Sequence, residues 1–126
     1  MVSVKESCKF ALQKIGVCAT KCEECVRGTV PKVHCIAPAK DAVAACKKMI
    51  EACRAHAATC KNPTCQTACQ ACIKTGEKVV EKATACADAC AGAGSDSDVK
   101  IVCKDCADAC RACMKSCQDC MQKACS

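Results

Sequence analysis

The feature that most constrains this chain is the spacing of its cysteines. In the stretch CKDCADACRACMKSCQDC they fall at Cys103, Cys106, Cys110, Cys113, Cys117 and Cys120, in steps of 3, 4, 3, 4 and 3. On an α-helix that spacing lines all six sulfurs along one face, as at the a and d positions of a heptad. The residues between them are mostly good helix formers, with no Gly or Pro. The stretch therefore reads as a helix whose inward face is made of thiols.

The same pattern recurs along the chain. A first helix is predicted over about residues 3–26, with Cys8, Ala11, Ile15, Cys18, Cys22 and Cys25 on one stripe, and Gly28 and Pro31 closing it. A second is predicted over about 32–61. It carries Cys35, Ala39, Ala42, Cys46, Met49, Cys53, His56 and Cys60 in one phase, and it is read as bent at Pro38. Asn62 and Pro63 read as the N-cap and first position of a third helix, about 63–91, with Cys65, Cys69, Cys72, Gly76, Val79, Ala83, Cys86 and Cys90 in phase. Gly92 and Gly94 end it. Ser95, Asp96 or Ser97 then caps a fourth helix over about 97–124. No segment reads as a strand.

Nineteen of the 20 cysteines thus occupy inward positions, and only Cys125 is out of phase; chance would place about six there. Four helices of similar length joined by short links predict an all-α protein. The architecture expected is a single domain over residues 1–126, an antiparallel four-helix bundle with a cysteine-lined core.

Threaded up and down, the bundle would gather Cys8, Cys60, Cys65, Cys69, Cys72, Cys113, Cys117, Cys120 and Cys125 at one end. Cys18, Cys22, Cys25, Cys35, Cys46, Cys86, Cys90, Cys103 and Cys106 would gather at the other. Cys53 and Cys110 fall near the middle, among Ile15, Gly76, Val79 and Ala83. Two thiol-rich zones separated by a partly apolar waist are expected.

Composition says that ordinary hydrophobes do not hold this core together. Leu, Ile, Val and Phe number 18 in 126 residues, about 14%, a level typical of disordered chains. Alanine (23 residues) and cysteine must fill the interior, since a thiol packs like a small hydrophobe. A core so poor in apolar area calls for cross-links or metal. The net charge of +6 is modest and Phe10 is the one aromatic residue, which argues against a nucleic-acid surface. No apolar run is long enough to span a bilayer. The N-terminal MVSVKESCKF lacks the pattern of a secretory signal, so a cytoplasmic setting with reduced thiols is expected.

The spacing also sorts the chemistry. Cysteines at i,i+3 or i,i+4 have Cβ atoms about 5–6 Å apart, whereas a disulfide needs about 3.8 Å. A disulfide-stapled helical scaffold would therefore have to cross between helices, and it would not require CxxC and CxxxC on each. A metal between two sulfurs removes the distance problem. Zinc favours closed four-ligand sets, and iron–sulfur sites follow other spacings. Cu(I) is soft, is selected by thiolate and thioether, and accepts few ligands, so it suits long rows of shared sites. One Cu(I) per thiol displaces one proton and leaves the core neutral, which implies on the order of ten to twenty Cu(I) ions per chain. A metallothionein-like Zn/Cd thiol buffer is the alternative. Catalysis has little support, with two histidines for 20 thiols and no βαβ context for the Cys103–Cys106 pair.

With CADAC at Cys86–Cys90 and again at Cys106–Cys110, CKDC at Cys103–Cys106, CRAC at Cys110–Cys113 and CMKSC at Cys113–Cys117, the segment resembles the cytosolic copper storage proteins, a cysteine-rich four-helix-bundle family. The four-helix layout extends the resemblance to the whole chain, more loosely over its first half. The resemblance implies a non-enzymatic protein that binds many Cu(I) ions through thiolates lining the core, and a homo-oligomer, commonly a tetramer. Its metal ligands would be the nineteen in-phase cysteines. Their partners would be copper ions and a copper chaperone or small thiol that exchanges them. The chain departs from the pattern between Cys8 and Cys18 and between Cys72 and Cys86, where Ala, Ile, Gly and Val fill the stripe. Cys125, His56 and Met49 are weaker candidate ligands, Met49 and His56 because they hold stripe positions otherwise given to cysteine. His34, Met114 and Met121 read as surface or packing residues, and Lys47, Lys48, Lys78 and Lys82 as a solvated face.

Overall fold

The computed structural model describes residues 3–124. Four long helices account for nearly all of them: α1 (Val4–Arg27), α2 (Ile36–Thr59), α3 (Pro63–Ala91) and α4 (Asp96–Lys123). They pack as an antiparallel ring in which α1 lies on α2 and α4, and α3 lies on α2 and α4. Short links force each helix to run back along its predecessor, and packing of α4 on α1 closes the bundle.

The helix ends are set by residues legible in the sequence. Ser3 caps α1 by accepting a hydrogen bond from the Glu6 amide. Asn62 caps α3 through the Cys65 amide, with Pro63 at the first helical position, where its missing N–H goes unneeded. Ser95 is the cap of α4, accepting from the Asp98 amide, and Asp96 and Asp98 place negative charge in the first turn. Gly28 ends α1 in the left-handed conformation, φ 78°, and its amide and that of Thr29 bond back to Cys25 and Glu24.

The second segment differs from its predicted span of 32–61. Lys32–Cys35 form a 3₁₀ turn, α2 proper begins at Ile36, and Cys60 is its C-cap. The joint lies ahead of Pro38 rather than at it. Pro38 falls in the first turn of α2, where a backbone N–H has no intrahelical partner to lose, so the ring forces no bend.

The interior is sulfur and methyl. Of the described cysteines all but Cys60 are buried, and most have no exposed surface at all. Ile15, Met49 and Val79 are the largest side chains that are fully buried. Gly76 lets α2 and α3 approach: a Cβ there would stand 2.7 Å from the Met49 Cε and 3.1 Å from the Ile50 Cγ1. Outside, Arg111 of α4 grips Glu23 of α1 with two hydrogen bonds of 3.0 and 2.6 Å, and Arg54 of α2 meets Glu77 of α3 at 2.8 Å. These pairs are solvent-exposed and fix register more than they add stability.

With so few aliphatic side chains, each one inside matters. Ile15→Ala should cost about 2–5 kcal/mol and lower the urea midpoint of the reduced, metal-free protein, as followed by circular dichroism. A midpoint unchanged from wild type would mean that the waist contributes nothing to the fold.

Candidate metal centre

Because each helix turns its stripe inward, thiols from different helices meet. No disulfide is formed among the described residues. Cys8, Cys53, Cys72 and Cys120, one from each helix, have sulfurs mutually within 4.8 Å and fully buried. Toward the other end are three-sulfur sets: Cys18 with Cys106 and Cys110, Cys22 with Cys86 and Cys106, and Cys22 with Cys35 and Cys103. Cys22 and Cys106 each belong to two sets. Individual separations are 3.7 Å for Cys18–Cys106, 3.6 Å for Cys22–Cys86 and for Cys86–Cys103, and 3.7 Å for Cys90–Cys103. Cys25 joins this end, 4.0 Å from Cys103. A metal bonded to sulfur at about 2.3 Å holds three sulfurs about 4.0 Å apart and four about 3.8 Å apart. The thiols therefore stand close to metal-ligating spacing already.

The two expected zones exist, but the waist does not separate them. Ile15, Gly76, Val79 and Ala83 are buried there on α1 and α3. On α2 and α4 sulfur continues through it. Cys46 and Cys113, placed by the threading in opposite zones, interact directly, and Cys46 also feels Cys18 and Cys106 beyond. Cys113 in turn interacts with Cys117, and Cys117 with Cys72 and Cys8. Cys53 joins the tetrad rather than the middle, and Cys110 joins Cys18 and Cys106. Up-and-down threading fixes which end each cysteine approaches but not how far one helix is offset along another, and here the offset brings Cys46 to Cys113.

Met49 lies on this route, fully buried, and accepts a hydrogen bond from the Cys117 thiol at 3.3 Å. Cys69 lies 4.0 Å from Cys120. Two thiols donate to main-chain carbonyls, Cys72 to Ser116 at 3.1 Å and Cys35 to Lys21 at 3.5 Å, contacts that no cysteine spacing signals. At the α2–α3 turn His56, Cys60 and Cys65 form a further set, half-exposed, with His56 Nε2 hydrogen-bonded to Cys65 Sγ at 3.1 Å. His34 is exposed, and Met114 and Met121 pack partly buried against the core. Lys47, Lys48 and Lys78 are exposed. Cys125 lies outside the described residues. A surface groove of about 570 Å³ between α1 and α2, lined by Phe10, Lys48 and Glu51 among others, contains no cysteine.

Protons are distributed unevenly over the sulfur array. Hydrogen bonds from Cys117 and, more weakly, from Cys53 and Cys72 draw Cys8 down to about 5, against Cys120 and burial. Cys117 and Cys46 draw Cys113 to about 4. Cys103 and Cys106 are also lowered, chiefly by Cys22 and by Cys110 respectively. Their donors move the other way: Cys22 is raised by Cys103, Cys110 by Cys106, and Cys46 by Cys113. Burial, then the charge on Cys103, push Cys90 up to about 11. Lowered and raised thiols are thus neighbours throughout the core, each pair pushing its two members in opposite directions.

No family model, curated protein or solved structure matches the chain. Among the described residues no helix is long and apolar enough to cross a membrane. What the geometry establishes is a helical bundle whose clustered, buried thiols suit metal ligation.

The proton distribution gives a pH dependence. A thiol lowered in the fold, such as Cys8 at about 5, adds stability that is present above its unfolded value of 9.0 and lost as pH falls through 5. A raised thiol, such as Cys90 at about 11, adds stability that is present below 9.0 and lost as pH rises through 11. Melts of the reduced, metal-free protein should therefore peak at about pH 8–9 and fall toward pH 11. Flat midpoints from pH 6 to 11 would contradict the coupled array.

Proposed function

We propose that this chain stores Cu(I) in its thiol-lined core. The observation that carries the reading is the sharing of buried sulfurs: Cys22 and Cys106 each serve two three-sulfur sets, and buried thiols line the bundle on all four helices. Shared thiolates are economical for a monovalent soft ion content with two or three ligands. Each Cu(I) that binds replaces one thiol proton, so a fully buried core can fill without gathering net charge. Divalent ions at one per two thiols would also balance, but zinc wants four ligands around each ion, and most sets here offer three.

On this reading the chain is not an enzyme. It belongs with the copper storage proteins, works in the cytoplasm, and exchanges copper with a chaperone or small thiol. In that exchange an incoming thiolate bonds to copper as a core thiolate leaves and takes up a proton. Assembly into a homo-oligomer is part of the same proposal.

One observation favours the Zn/Cd buffer as a second reading. Cys8, Cys53, Cys72 and Cys120 form a closed four-sulfur set of the kind zinc takes.

An anaerobic titration of fully reduced protein with Cu(I), in competition with a chromophoric Cu(I) chelator, separates the readings. Copper should be withheld up to on the order of ten or more equivalents per chain. Saturation at one or two would overturn storage and leave zinc, or disulfides across helices, as the reason for the cysteines. Sulfur sharing is tested by substitution: Cys106→Ala, at a ligand common to two sets, should lower capacity by more than one equivalent, whereas Cys60→Ala at the bundle end should lower it by no more than one.

A further inference from the structure

The set at the α2–α3 turn is unlike the others in its donors and its exposure. His56 stands in the last turn of α2, Cys60 is the C-cap of that helix, and Cys65 is in the first turn of α3. His56 and Cys60 are spaced i,i+4, which puts them on one helix face. Asn62 caps α3 and turns the chain so that Cys65 comes back toward both. Gln66 bonds to the Cys60 carbonyl and pins the turn from the other side. The three ligand atoms lie mutually within 4.8 Å, with Cys65 buried and His56 and Cys60 half-exposed.

We infer that His56, Cys60 and Cys65 form a separate site for one borderline divalent cation of the zinc class, with water in the fourth position. The donor set is one imidazole and two thiols, a combination zinc accepts, and the partial exposure of His56 and Cys60 leaves room for a water. Charge selects the same ion. Binding releases two thiol protons, so the two thiolates balance a dication and the site ends neutral; Cu(I) on the same pair would leave one negative charge. A mixed imidazole and thiolate set suits zinc, whereas the three-sulfur sets of the core suit a soft ion content with fewer ligands. The geometry needs little adjustment. His56 Nε2 and Cys65 Sγ are hydrogen-bonded at 3.1 Å, and a tetrahedral zinc would hold them about 3.5 Å apart. A cation here would tie the end of α2 to the start of α3.

The inference does not depend on copper storage and can fail or stand without it. The protein has two histidines, and His34 is exposed beside Cys35, ahead of α2 and at the opposite end of that helix from His56, so it serves as an internal reference. The experiment is a titration of reduced, metal-free protein with Zn2+, following the imidazole nitrogens by 15N-edited NMR and total bound zinc in parallel. Zinc bound elsewhere in the core places no metal on His56 Nε2, so the metal-bound resonance reports this site alone. The expected result is a shift of the His56 Nε2 resonance to a metal-bound position, complete within one site equivalent, with His34 unmoved. Cys60→Ser and Cys65→Ser should each abolish the shift; Cys60 is only partly buried, so its variant keeps the helical circular dichroism of wild type even if the Cys65 variant does not. An unmoved His56 at zinc saturation would overturn the site and leave His56 as a hydrogen-bond partner of Cys65. So would a shift that survives in Cys60→Ser, or one that His34 shares.

Discussion

The whole structure depends on the thiol group serving as packing material. A neutral S–H is small, polarizable and cheap to bury, so a helix can present a full stripe of cysteines to a core as another would present leucines. A thiolate in the same place is expensive unless something pairs with it. The bundle meets that constraint by keeping most buried thiols protonated and letting a few, such as Cys103 and Cys106, be held as acceptors by several neighbours at once. Replacing the protons with soft monovalent ions leaves the charge count unchanged. The property that lets thiols pack in a core is therefore also the property that suits them to soft metal ions.

Topology turns that local property into a continuous array. Sequential helices are neighbours, and α4 returns to α1, so every stripe faces the same axis. α4 carries the unbroken run of six cysteines, and each of these six interacts with sulfur from at least one other helix. Ions held by sets such as Cys8, Cys53, Cys72 and Cys120 would cross-link all four helices. Such ties would offset a core short of aliphatic area, in which Ile15, Met49 and Val79 are the largest fully buried side chains. Binding free energy of this kind adds to folding free energy wherever the unfolded chain cannot hold the ligands together.

Most of this was legible in the sequence because helical phase is a strong signal when one residue type carries it. The four helices, the Asn62 cap, the Gly28 stop and the inward placement of every described cysteine but Cys60 follow from spacing and end chemistry alone, and Ser95 is one of three residues that the sequence offers as the cap of α4. Phase fixes which face a residue occupies but not how far one helix slides along another. Phase with up-and-down threading therefore puts Cys46 and Cys113 in opposite zones, whereas the structure couples them across the partly apolar waist. The same limit hid the pairing of the Cys117 thiol with Met49. The 3₁₀ turn at Lys32–Cys35 keeps Cys35 buried, so the hydrophobic pattern could not distinguish it from a bent helix. Thiol donation to the carbonyls of Ser116 and Lys21 leaves no mark on spacing at all.

The ends of the bundle show why position along one stripe can change the chemistry of a site. His56 and Cys60 are in phase with Cys53 and Cys46, so the sequence presents them as more of the same row. Yet α2 ends at Thr59, and the last turn of a helix has no further turn to cover it. Exposure rises there, which lowers the penalty for charge and admits water as a ligand. Inside, where water is excluded, an ion must be satisfied by sulfur alone and neutrality favours one charge per thiol. At the mouth, two thiols and an imidazole with access to water favour a dication. A single periodic pattern thereby yields two ligand environments, separated by burial and not by sequence, and the selectivity of each follows from how much charge its surroundings allow it to hold.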